Sequence, residues 1–332
     1  MPGAGIGGAE KRRGWRPPGW LKVVFGLAML AGAAWLMHRE LRDYRFAEVV
    51  AALGALPPWR VAASAVATVL GYLALVGHDL IALEHLRRKV PLRRVVLAGF
   101  VTYAVSNSAP VSVVVAAGIR HRFYSRWGVD RSDTKRVMSL TTATYALGLL
   151  FATCFAMTLG RFPIPGSLHL PFSDSFTLGV FAGVLLAGYL VWALARGKAL
   201  GARHKEGLGP TLGFSSTQIG ISLADWLLSG WALYVLLTPE QPLSFALFFG
   251  VFMMGQIAAL IGQTPGGIGV FDAVMIWGLS PAVSAPTTLA ALFAYRIVYY
   301  LLPLLLAAAL FLAHEGRHLL RGKAGGPREA PG

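Results

Sequence analysis

The chain has a single cysteine, Cys154, among its 332 residues, so it forms no internal disulfide and offers no thiolate set for a metal. Acidic residues are also scarce: 15 Asp and Glu stand against 30 Lys and Arg, and charges of both signs make up only 14% of the chain. So few charges, with 55% hydrophobic residues and a mean hydropathy of +0.60, exclude a soluble fold. A phosphate-binding P-loop, a Ser/His/Asp set and histidines at metal-ligand spacing are missing. The Gly-x-Gly fragments between Gly3 and Gly8 follow no strand, so no cofactor and no metal is expected. The net charge of +15 does not imply nucleic acid, because the basic residues fall between apolar runs and no aromatic-studded basic domain exists to hold a strand. They read as topology signals and as contacts to anionic lipid headgroups.

What the sequence does contain is apolar runs spread over residues 20–313, with loops too short for a separate soluble catalytic domain. An all-α polytopic membrane protein is expected, with basic cytoplasmic tails at 1–19 and 314–332. The run at 20–37 follows Lys11, Arg12, Arg13 and Arg16 in the manner of a secretory signal, and Ala31-Gly32-Ala33 supplies small residues. Those residues sit inside the run, which approaches the roughly 20 residues a span needs, so it is read as an uncleaved helix. In the following linker Phe46, Val49, Val50, Leu53 and Leu56 recur opposite Arg42, Arg45 and Glu48, the pattern of a surface amphipathic helix ended by Pro57-Pro58.

Charge places the remaining segments. Residues 95–119 are flanked by two basic clusters: Arg87, Arg88, Lys89, Arg93 and Arg94 before, and Arg120, Arg122, Arg126, Arg131, Lys135 and Arg136 after. Both clusters cannot be cytoplasmic if the segment crosses once, so it is expected to be a re-entrant hairpin turning at residues 106–110. Spans at 137–159, 176–195 and 214–237 then lead to the 239–242 loop, which has no positive charge. The basic end with Arg317, Arg321 and Lys323 requires the last span, 287–313, to start outside, so 243–279 is expected to be a second re-entrant hairpin with 263–269 at its turn. The expected architecture has about six crossing helices and two re-entrant hairpins. Its halves, 20–160 and 176–313, match in order and opposite orientation, the inverted repeat of many transporters.

Four blocks carry a resemblance. Gly77-His78-Asp79-Leu80-Ile81-Ala82-Leu83, Gly118-Ile119-Arg120-His121-Arg122-Phe123-Tyr124-Ser125, Pro265-Gly266-Gly267-Ile268-Gly269-Val270-Phe271-Asp272 and Tyr295-Arg296-Ile297-Val298-Tyr299-Tyr300 resemble the lysylphosphatidylglycerol synthase/flippase transmembrane family over nearly the whole chain. The resemblance implies a bacterial inner-membrane protein that moves a phospholipid or related lipid between leaflets. Larger members carry a soluble aminoacyl-transferase domain after the membrane part. None follows residue 313 here, so lipid aminoacylation is not expected.

The candidate lipid-binding residues are Arg120, Asp272, Asp225, Arg296, Asp79 and Arg122. Guanidinium groups hold phosphate in a bidentate fork, although the positive-inside signal accounts for most of the basic loop around Arg120 and Arg122. Asp272 serves either a headgroup or the start of the helix after Gly269, and the two roles are compatible. Asp79 and Asp225 occupy corresponding spans. Asp79 can pair with Arg87 or Arg88 at the membrane interface, and Asp225 is expected to face the interior with Arg296 or Arg120 as partner. Asn107, Pro110, Pro265, Gly266, Gly267 and Gly269 shape the broken hairpin backbone, whose groups need partners at membrane depth.

The expected function is a non-enzymatic lipid translocase. Its hairpin tips meet around a polar cavity, and movement is downhill or coupled to protons or ions through a carboxylate. The alternatives are a membrane enzyme with Asp225 and Asp272 as acid and base, or a partner or scaffold for a lipid-synthesis enzyme acting on a lipid-linked substrate.

Overall fold

The structure, a computed structural model, describes residues 51, 54–108, 112–162, 164, 173–201, 212–262, 269–280 and 282–324. The expected first span at 20–37, nearly all of the surface helix at 46–56, the 1–19 tail, and the turn residues Pro110, Pro265, Gly266 and Gly267 lie outside the described residues. Among the described residues all regular structure is helical: α1 (Pro58–His85), α2 (Leu92–Ser108), α3 (Ser112–Arg126), α4 (Arg131–Gly160), α5 (Ser175–Gly201), α6 (Leu212–Tyr234), α7 (Phe245–Gly262), α8 (Val270–Leu279), α9 (Ala285–Tyr295), a π-helical turn (Arg296–Leu301) and α10 (Leu302–Ala324). The protein is an all-α polytopic membrane protein.

Among the described residues four helices are long and apolar enough to cross a bilayer: Pro58–His85, Arg131–Gly160, Ser175–Trp192 and Ala285–His314. At 1.5 Å per residue, α6 is about 35 Å long and matches the ~30 Å hydrocarbon core in length, but a polar stripe lowers its hydropathy. The helix starts follow local chemistry. Pro58 supplies a first-turn residue whose missing N–H leaves nothing unsatisfied. Asp130 caps α4 by accepting the Asp133 N–H at 2.7 Å, and this bond holds its carboxyl below the usual carboxylate range.

Side chains at the two ends of α1 settle how the short helices run. At its start, Arg60 donates to the carbonyls of Val235, at 3.1 Å, and of Leu237, while the Ser64 hydroxyl donates to Ala232 O at 2.7 Å, so α1 and α6 lie antiparallel. At its far end, about 42 Å away along 28 residues, Arg88 pairs with Asp130 at 3.8 Å and with Asp133, and Arg94 lies over Trp127. The loops before α2 and after α3 therefore adjoin, and the α2/α3 pair returns to the end it left. The α7/α8 pair does the same at the opposite end. There the N–H groups of Glu240 and Gln241 donate to Ala282 O, and the Glu240 carboxylate accepts the Ser284 N–H at 2.8 Å.

The core divides in two, and the last span of each half enters the other half's cluster. Tyr72, Val105, Phe123 and Tyr124 pack with Leu304, Ala307 and Phe311 of α10. Phe248, Phe252, Phe271 and Met275 pack with Ala152, Ala156 and Met157 of α4.

The α4–α6 contact is closest at Gly148, where an added Cβ would overlap Ser222 Cβ. Helix α6 can approach this far only because that side chain is absent. Gly148→Val forces the helices apart and is expected to cost about 1–3 kcal/mol, read as a lower melting temperature in detergent. An unchanged melting temperature would refute the close packing.

Candidate functional site

Among the described residues, a buried ion pair, a partly buried one and a carboxylate with no cation beside it form the polar centre. The first pair joins Asp79 of α1 to Arg120 of α3, with Nε donating to Oδ1 at 3.0 Å; Asp79 is 0% exposed and Arg120 4%. Gly99 of α2 makes room for it, since a Cβ there would stand 3.2 Å from Asp79 Oδ2. The Arg120 guanidinium lies 4.9 Å from the centre of the Tyr103 ring, which replaces part of its lost hydration. Asp79 Oδ2, Arg120 Nη2 and the hydroxyls of Tyr103 and Tyr124 have no hydrogen-bond partner among the described residues. This pair therefore has unused donor and acceptor capacity inside the protein.

The second pair sits where α8 begins. Gly269 has φ +84°, a left-handed conformation that suits glycine, and its N–H donates to Asp272 Oδ2 at 2.9 Å. Arg296 Nη2 donates to both Asp272 oxygens, at 2.8 and 2.9 Å. Asp272 thus fills the expected helix-start role and holds Arg296 with the same carboxylate. Arg296 opens the π-helical turn, a local widening often found at functional sites. Pro303 cannot donate to Tyr299 O, four residues before it, and the Tyr72 hydroxyl takes that carbonyl at 3.2 Å. Asn107, at the end of α2, lies near the Tyr72 side chain.

Asp225 of α6 is buried, but neither expected partner reaches it. Arg120 is taken by Asp79 and Arg296 by Asp272. Asp225 Oδ1 has no hydrogen-bond partner among the described residues and stands close to Gly71. Tyr103 lies within electrostatic reach of Asp79, Arg120 and Asp225, and Tyr300 within reach of Arg296, Asp272 and Asp225. Asp225 consequently lies between the two pairs.

One further expectation needs correction: Asp79 does not pair with Arg87 or Arg88 but is buried against Arg120, and Arg88 turns instead to Asp130 and Asp133. Arg122 has its guanidinium 5.8 Å from the Phe311 ring of α10, two residues along from Arg120 and so on another helix face. The hairpin tips expected to enclose a cavity fall outside the described residues.

Sequence reasoning passed over the stripe Ser215, Gln218, Ser222, Asp225 and Ser229, all buried on α6. Its alternating spacing of three and four residues was the available signal.

The description "Lysylphosphatidylglycerol synthase TM region" belongs to a family profile that matches residues 20–307. The chain belongs to this family. It is 30% identical over 281 residues to "Inner membrane protein YbhN" of Escherichia coli, covering 84% of each chain. With an uncharacterised protein of Synechocystis sp. it shares 31% over 294 residues, 86% of this chain and 90% of that one. Phosphatidylglycerol lysyltransferase of Staphylococcus haemolyticus is 24% identical over 292 residues, which are 87% of this chain and 34% of the relative. The chain thus spans about a third of that lysyltransferase's length, within the family's transmembrane region.

The buried pairs make a direct prediction. Arg120→Leu leaves Asp79 uncompensated and is expected to destabilise by about 3–5 kcal/mol, whereas adding Asp79→Leu recovers most of that loss. A double-mutant cycle of detergent stability measures it. Additive losses would mean that the two groups do not interact.

Proposed function

We propose that this protein is a lipid translocase of the bacterial inner membrane, moving a phospholipid or related anionic lipid between leaflets. The observation that carries the reading is that each broken helix pair contributes one member of an ion pair inside the protein, Arg120 of α3 with Asp79 and Asp272 of α8 with Arg296. An unaided headgroup would have to take its phosphate charge through hydrocarbon. A guanidinium already desolvated inside the protein can exchange its carboxylate for that phosphate and remain compensated throughout. Acyl chains stay in lipid while the headgroup passes. When no lipid is present, the aspartates hold the arginines in place.

In this reading α2/α3 and α7/α8 are re-entrant hairpins that enter from opposite faces, and the two halves form an inverted repeat. The reciprocal packing supports it: α4 lies on α7 as α10 lies on α2, and α1 lies on α6. The basic end, with Arg88, Arg93 and Arg94, is then cytoplasmic, as are both termini. Membership in a family that includes phosphatidylglycerol lysyltransferases makes phosphatidylglycerol and its lysyl form the first lipids to test.

Leaflet-resolved translocation in proteoliposomes tests the proposal, with phosphatidylglycerol, lysylphosphatidylglycerol and cardiolipin as separate reporters. Wild type is expected to move at least one of them. Arg296→Lys keeps the charge but loses the planar fork, and the rate should fall about tenfold or more, equivalent to ~1.4 kcal/mol of barrier. Absence of movement of every lipid by wild type would refute the translocase reading.

A further inference from the structure

Asp225 is used by neither arginine, and its surroundings are not those of a structural aspartate. It belongs to the stripe Ser215, Gln218, Ser222, Asp225 and Ser229, one polar residue per turn of α6, each buried to within 5%. At 1.5 Å per residue this file is about 21 Å long, most of a ~30 Å hydrocarbon core.

The file is hydrogen-bonded for part of its length and open for the rest. Gln218 Nε2 donates to Thr144 Oγ1 at 2.5 Å, Ser222 Oγ lies 3.1 Å from His78 Nε2 and donates to Thr144 O, and Ser229 Oγ meets Tyr295 Oη at 2.9 Å. Ser215 Oγ, Gln218 Oε1 and Asp225 Oδ1 have no hydrogen-bond partner among the described residues. Buried polar atoms left over in this way are the atoms that ordered water bridges.

At one end of the file Ala232 and Leu233 on α6, and Leu236 and Leu237 just after it, are all at most 1% exposed and form an apolar plug. The opposite end reaches Phe214, which stacks on His85 at the basic end of the molecule.

Among the described residues, the groups facing Asp225 hold no cation that could neutralise it. They are Tyr72 and, through Ser222, His78 on α1; Tyr103 on α2; Tyr145 on α4; and Tyr299 and Tyr300 in the π-helical turn. Tyr295 on α9 meets Ser229 instead. Helix α7 has no titratable residue, and the described titratable side chain of α5, Tyr189, packs on Trp192 of its own helix. A buried carboxylate with neither cation nor donor is costly in its ionised form, and a bound proton removes that cost.

We infer that Asp225 is the proton-binding site of a proton-coupled lipid movement, loaded along the α6 file from the basic end of the protein. The inference rests on the translocase reading and deepens it. A proton arriving along the file forms an O–H bond on Asp225 Oδ1. Release breaks that bond and restores the carboxylate, so one proton in and one proton out balance each cycle. Carried with one lipid of single negative charge, the proton makes the step electroneutral, which suits a route through a low dielectric.

The test uses full-length protein in proteoliposomes with labelled phosphatidylglycerol in both leaflets, a gradient of one pH unit, and the membrane potential clamped at zero. With one proton per lipid, wild type is expected to hold about a tenfold excess of label in the leaflet on the alkaline side, since one pH unit is a factor of ten in proton activity. Asp225→Asn should give a ratio of one, and Asp225→Glu should restore the asymmetry. A protonated-carboxyl infrared band present in wild type and missing in Asp225→Asn is expected even where that variant moves no lipid. Wild-type movement that settles at a ratio of one, an excess that follows sodium instead of pH, an Asp225→Asn variant that keeps the excess, or an unchanged infrared band would overturn the inference. Wild type that moves no lipid with or without the gradient would remove the translocase reading along with it.

Discussion

Compensation of buried charge is the constraint on which the rest of the structure depends. A carboxylate or guanidinium in a low dielectric costs several kcal/mol unless a counter-charge and hydrogen bonds stand beside it. Asp79 and Arg120 meet that requirement across α1 and α3, and Asp272 and Arg296 meet it across α8 and the π-helical turn. Each pair fixes a short helix against a long one. The Gly99 gap, the left-handed Gly269 and the widened turn at Arg296 are local departures from regular helix that let those charges reach each other. Asp225 lies between the pairs and is left to solve the same problem without a cation.

The same physics explains why the short helices come in pairs. A helix of 17 residues followed by one of 15, or 18 followed by 10, leaves each arm short of or barely equal to the roughly 20 residues that a span needs. Such pairs are tolerated at membrane depth only where protein or water satisfies the backbone at the break. Arg88 with Asp130 ties one pair of loops together, and Glu240 with Ser284 ties the other, at opposite ends of α1. In the proposed mechanism one hairpin brings Arg120, and the other brings Asp272 with its partner Arg296, toward a shared lipid path.

Much of the fold was legible because it follows from charge and hydropathy. The basic clusters around Arg88 and Arg131 required segment 95–119 to return to its starting side, and the contacts of Arg88 and Arg94 agree. Individual partners were less legible. Which arginine meets which aspartate depends on helix rotation and tilt, and neither is encoded in a hydropathy run, so Asp225 was assigned partners that proved to be engaged elsewhere. Pro303 indicated that a carbonyl near Tyr299 would lose its donor, but not that Tyr72 would supply the replacement. The α6 stripe was readable from its three-four spacing; it was obscured because a single aspartate drew attention away from the serines and glutamine beside it.

The central claim is that two opposed helix pairs each return to the face from which they start. Thiol labelling in intact and inverted membrane vesicles tests it most directly, with single cysteines in a Cys154→Ser background at Lys89→Cys, Arg131→Cys, Gln241→Cys and Ala285→Cys, all positions exposed in the structure. The account predicts that a membrane-impermeant reagent reaches the first two from the cytoplasmic face and the last two from the other. Labelling of Lys89→Cys and Arg131→Cys from opposite faces, or of Gln241→Cys and Ala285→Cys from opposite faces, would contradict it.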